Sequence, residues 1–132
     1  MTGETNLNTL LASMSPKLNK VKYVFCTLAK GEVADLAALS PLATFMEEEG
    51  LTLVLTKDTA DKAQLNYEGL FQCITLHVHS SLEAVGLTAA VSTKLADKGI
   101  SANVIAAYYH DHIFIPAQKA DLALSALHEL QT

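Results

Sequence analysis

The chain has 132 residues, half of them apolar and only 17% charged, so it can bury a sizeable core and is not a disordered tail. Its net charge is −5, and every one of its nine cationic residues is lysine. The absence of arginine and of any basic cluster argues against nucleic acid, and no apolar run approaches the roughly 20 residues of a membrane span. The N-terminus lacks a basic start leading into an apolar run, so no secretory signal is read there. Cys26 and Cys73 each lie inside an apolar run, which points to two buried thiols in a reduced compartment. A soluble, acidic, cytoplasmic protein of mixed α and β structure is expected.

Leu7, Leu10, Leu11 and Met14 share one helical face, so residues 5–14 read as a short amphipathic helix that Pro16 ends. Residues 20–28 (KVKYVFCTL) are rich in β-branched and aromatic side chains and read as a strand. Residues 32–39 form a weak helical patch, residues 42–46 fit strand or helix, and Glu47-Glu48-Glu49-Gly50 is a charged, solvated turn. Residues 51–56 (LTLVLT) are a strand, followed by a helix to about residue 65. In residues 70–80 (LFQCITLHVHS), Ile74, Leu76 and Val78 alternate with Cys73, Thr75, His77 and His79, so one sheet face is apolar and the other polar.

A loop over 80–86 leads into a helix over 87–98, with Leu87, Ala90, Val91 and Leu95 as its core stripe and Gly99 at its end. Residues 103–109 read as a strand, His110-Asp111-His112 as a tight turn, and residues 113–115 as the returning strand. Residues 119–130 form the last helix, its predicted stripe being Leu122, Leu124, Leu127 and Leu130. The strand–turn–strand–helix order of residues 43–65 returns about 63 residues later over 106–127. Each half is then most of a split βαβ unit, and the fold class is α+β: tandem ferredoxin-like βαββαβ halves, antiparallel sheets with helices on one face. The expected organisation is an N-terminal helical segment (1–19), a first, shortened half (20–68) and a second, complete half (69–132).

The second half resembles an ACT domain. The resemblance is carried by Ile74-Thr75-Leu76-His77-Val78, Ala84-Val85-Gly86-Leu87, Leu95-Ala96-Asp97-Lys98-Gly99-Ile100-Ser101, and the run from Ala106 to Pro116 (AAYYHDHIFIP). The whole chain is similar to short bacterial stand-alone proteins with two tandem ACT-like halves, akin to the ACT halves of aspartokinase and of arginine-sensing proteins upstream of the TOR kinase. The resemblance covers about residues 20–130 and is most specific over 74–116. It implies binding rather than chemistry: an amino acid held at an interface between modules, with output passing through oligomeric state or a separate protein partner. It also implies that the loop of Ser81, Leu82, Glu83, Ala84, Val85 and Gly86, together with the hairpin Asp111, contributes to the ligand site; His110, next to Asp111 in the turn, is a further candidate ligand-binding residue.

The residues allow a site at the same edge. In a 4-1-3-2 sheet the end of the first strand and the turn between the second and third meet at one edge. His77, His79, the 80–86 loop and the 110–112 turn are expected there. The N–H groups opening the 87–98 helix suit a carboxylate, and Glu83 and Asp111 suit an ammonium group. The plain alternatives are ordinary loop carboxylates, a glycine kept for close packing at Gly86, and an aspartate holding a tight turn at Asp111.

The histidines supply a rival. His77-x-His79 and His110-x-His112 could each offer two imidazoles to zinc or copper, although the two pairs sit on different strands and the second spans a turn. Structural, hydrogen-bonded histidines are the simpler reading. No enzyme motif stands out. Ser80 and Ser81 near His79 and Asp111 lack a Gly-x-Ser-x-Gly elbow, the six glycines form no phosphate loop, and neither cysteine sits in a Cys-x-x-Cys pair. The sequence therefore points to a small-molecule regulatory module, no enzyme and without a cofactor, expected as a homodimer. A metal-binding or purely structural interaction module is the alternative.

Overall fold

The computed structural model describes residues 6–32, 35–78 and 86–131. The chain divides into two compact units, one made of residues 1–20 and 72–132, the other of residues 21–71. The first unit contains α1 (Leu7–Ser13), the opening residues of β1 (Pro16–Ala29), most of β4 (Phe71–Leu76), α4 (Leu87–Asp97), β5 (Asn103–Ala106), β6 (Asp111–Pro116) and α5 (Ala120–Glu129). The second contains the rest of β1, a one-turn α2 (Leu36–Leu39), β2 (Ala43–Met46), β3 (Gly50–Thr56) and α3 (Lys57–Lys62).

In the first unit the strand order is β1-β4-β6-β5. The opening of β1 runs antiparallel to β4: Ser15 O accepts from His77 N at 3.3 Å, and Asn19 O accepts from the buried Gln72 Nε2 at 3.2 Å. β5 and β6 form an antiparallel hairpin with Asn103 opposite Phe114 and Ala106 opposite Asp111. Ile74 and Leu76 of β4 and Ile113 and Ile115 of β6 point to one face, where they pack with Leu87, Val91 and Leu95 of α4 and Ala123 and Leu127 of α5. Leu10 and Met14 join this core, so the α1 segment is anchored by fully buried side chains. α4 starts at Gly86, where φ is +105° and an added Cβ would stand 3.1 Å from Leu7 Cδ2. Only glycine meets both demands.

In the second unit the order is β2-β3-β1, with both pairs antiparallel. Val24, Cys26 and Leu28 alternate along β1 and pack with Leu53 and Leu55 of β3 and Ala60 of α3. Thr56 caps α3, its Oγ1 accepting from Thr59 N at 3.2 Å. Lys57 Nζ donates to Asp61 Oδ2 at 2.7 Å, and Tyr67 OH donates to Asp61 Oδ1 at the same distance.

Three local expectations change. The last hairpin turns over Ala107–His110, not over His110–His112. Asp111 and His112 already lie in β6, because Ile105 pairs with His112 and keeps Ile113 and Ile115 in the core. α5 packs through its small residues Ala120, Ala123 and Ala126 with Leu127, which turns Leu122 outward to 49% exposure. Pro16 opens β1 as well as ending the helix before it, a position where its missing N–H is tolerated. Both cysteines are free and buried, and burial pushes each thiol above its ordinary pKa.

Candidate functional site

The polar face of β4 and the turn of the β5–β6 hairpin form one cluster. Thr75 and His77 share a face of β4 by the two-residue period of a strand. Thr75 Oγ1 lies 2.9 Å from His112 Nδ1 on the neighbouring β6. The ring centres of His77 and His110 are 5.1 Å apart, and those of His110 and His112 are 6.5 Å apart. The hairpin is closed by Ala107 N donating to His110 O at 3.1 Å, and its tip carries Tyr108 and Tyr109, both exposed. Tyr109 reaches back to within 6.4 Å of the His110 ring.

The electrostatics are those of a half-buried polar cluster. Burial raises the Asp111 carboxyl above the ordinary carboxylate range, opposed by His112 and His110. Burial also holds the His112 imidazole below the usual histidine range, with His110 adding to the effect and Asp111 opposing it. None of the ion pairs between described residues uses Asp111. The N-cap of α4 is Gly86, which has no side chain to cap the N–H groups of the first turn.

The structure thus brings His77, His110 and His112 together, and Thr75 with them, while Asp111 alternates with His112 along β6 and lies on the face of Ile113 and Ile115. Thr75 was visible in the sequence only as part of the alternation. Gly86 stands at the start of α4. His79, Ser80, Ser81, Leu82, Glu83, Ala84 and Val85 lie outside the described residues. Among the described residues no three His, Cys, Asp or Glu side chains are placed to hold one metal ion together, and no helix is long and apolar enough to cross a membrane.

The second unit has a recess of its own, which the sequence reading passed over. A cleft of about 220 Å³ lies at the end of β1 and the β2–β3 turn, lined by Leu28, Lys30, Glu32, Met46, Glu47 and Leu51 among others. Glu32 Oε1 accepts from Ala29 N at 2.7 Å and closes the bend after β1. Glu47 Oε1 accepts from Thr52 Oγ1. The repeat alone could have signalled it, because this is the same position in the strand order as the histidine cluster.

Residues 2–72 and residues 71–129 each match a family model for the ACT domain. A Vibrio cholerae protein of unknown function, described as a possible transport protein, is 58% identical, with 96% of each chain covered and a TM-score of 0.86. An Agrobacterium tumefaciens protein shares the fold at 16% identity, over 88% of this chain and 87% of that one, with a TM-score of 0.73. The ligand-free regulatory subunit of aspartate kinase from Thermus thermophilus does so at 15% identity, over 92% and 99%, with a TM-score of 0.63. No curated protein matches the chain.

Proposed function

Because the chain belongs to the ACT-domain family and carries two such domains in tandem, we propose that it is a regulatory module that binds an amino acid and performs no chemistry of its own. The observation that carries the reading is Asp111: a half-buried carboxylate at the hairpin, used by no ion pair between described residues. An ammonium group arriving there would supply the charge it lacks. The N–H groups after Gly86 suit the ligand carboxylate, and His110 is the neighbour of Asp111. Ser81, Leu82, Glu83, Ala84 and Val85 complete the site in this reading, with Glu83 as a second acidic group for the ammonium. The regulatory subunit of aspartate kinase has the same fold, which supports a module that acts on something other than itself. We further expect a homodimer in the cytoplasm, whose output passes to a separate protein.

Thermal unfolding of the full chain against each of the twenty amino acids tests this. A ligand at 100 times its Kd adds about 2.7 kcal/mol to the folded state, which raises the midpoint of a domain this size by something on the order of 10 °C. One or two amino acids are expected to give such a shift, and Asp111→Asn to remove it while leaving the unliganded midpoint close to that of the parent. A midpoint unmoved by all twenty contradicts the amino-acid ligand. A shift undiminished in Asp111→Asn contradicts the placement.

A further inference from the structure

The amino-acid reading gives His77 no role and uses His110 only as the neighbour of Asp111. The His77 and His110 rings have centres 5.1 Å apart and planes inclined by 41°. An ion in tetrahedral geometry, about 2.1 Å from one nitrogen of each ring, holds two imidazole centres roughly 5 Å apart. His77 Nδ1 lies 3.2 Å from Thr75 O. A carbonyl only accepts, so Nδ1 carries the proton and Nε2 keeps its lone pair. A backbone carbonyl behind one ring nitrogen is the support that metal-ligating histidines use to fix tautomer and orientation. On the neighbouring ring, His110 Nδ1 is buried and has no hydrogen-bond partner among the described residues. A buried imidazole nitrogen left unpaired is costly, and a metal ion satisfies it. His112 is engaged differently, with its Nδ1 on Thr75 Oγ1.

We propose that His77 Nε2 and His110 Nδ1 bind one divalent transition-metal ion of the imidazole-preferring class, zinc or nickel, with water completing its shell. Two protein donors make a modest, exchangeable site, consistent with the lack of any third placed ligand among the described residues. The proposal stands apart from the amino-acid reading, because the ion is titrated with no amino acid present.

The test is a zinc titration of the full chain against a chromophoric chelator, alongside NMR of the histidine ring nitrogens. His77 is exposed, so His77→Gln leaves the core untouched; His110→Gln is the second variant, and circular dichroism checks both. His128, whose Nδ1 lies 3.2 Å from Gln131 Oε1 at the end of α5, is the control. The expected result is one zinc per chain, perturbed ring signals of His77 and His110, an affinity loss of about tenfold or more in each variant, and no loss in His128→Gln. Absence of saturable zinc binding overturns the proposal. So does zinc binding that survives either His77→Gln or His110→Gln unchanged.

Discussion

The β2–β3 and β5–β6 hairpins are closed alike. Met46 pairs with Leu51 in one and Ala106 with Asp111 in the other. In each, the first loop N–H meets the last loop carbonyl: Glu47 N to Gly50 O at 2.9 Å, and Ala107 N to His110 O at 3.1 Å. The difference lies in the four residues between, Glu-Glu-Glu-Gly against Ala-Tyr-Tyr-His. Strand pairing fixes the backbone, and the loop residues then decide the chemistry offered at its end. The first hairpin offers exposed carboxylates over a small cleft. The second offers aromatic rings, imidazoles and a half-buried carboxylate. The helices that follow β1 and β4 differ in the same sense: α2 is a single turn, whereas α4 runs for 11 residues. The repeat has kept its frame, while the long helix beside a hairpin belongs to the first unit.

Substitutions can break this comparison at several strengths. The largest effect is expected from the core behind the second hairpin: Leu95 is fully buried, and Leu95→Ala should cost about 2–5 kcal/mol. Leu122→Ala, on the exposed side of α5, should stay within roughly 0.5 kcal/mol. Urea unfolding of both variants checks this, and equal losses would mean that α5 is rotated from its described position. Next is the first hairpin. At Gly50 φ is +156°, and an added Cβ would stand 2.3 Å from Leu28 O, so Gly50→Ala must move backbone. A loss of about 2–3 kcal/mol is expected, against about 1–2 kcal/mol for Gly86→Ala, where the obstacle is the flexible end of Leu7. The reverse order would show that the β1–β3 pairing yields more readily than the α1 contact.

The smallest effect is electrostatic. Hydrogen bonds from Lys57 and Tyr67 hold the Asp61 carboxyl below the usual carboxylate range, although burial opposes them. A lowered pKa in the folded state means stability that is present above the unfolded value near 3.9 and lost as pH falls through the folded one. Asp61→Asn should therefore lower the thermal midpoint slightly at pH 7 and flatten its fall below about pH 4, so that the two proteins converge in acid. A parallel decline in both proteins would remove Asp61 from the acid response.

Much of the frame was legible in the sequence, because alternation in strands and the glycines at helix ends are local signals. Leu51–Thr56 and Leu87–Leu95 declare their elements without help from the rest of the chain. The turn before Asp111 was misplaced for a physical reason: Asp and His suit turns, yet pairing Ile105 with His112 keeps two isoleucines buried, and that outweighs turn preference. Leu122 was misplaced because a leucine count ignores that alanines let helices approach closely. Of the candidate site, the polar face of β4 and the hairpin could be read from spacing alone. The approach of His77 to His110 could not, since it depends on which strands are neighbours and where the turn falls.

The most direct test of the amino-acid reading is an amide ¹H–¹⁵N titration with the amino acid that gives the largest thermal shift. The account predicts that the amides of Gly86, His110 and Asp111 move on binding, while those of Glu47, Gly50 and Leu51 stay in place. Movement confined to Glu47, Gly50 and Leu51 would contradict it and transfer the ligand to the cleft of the other unit.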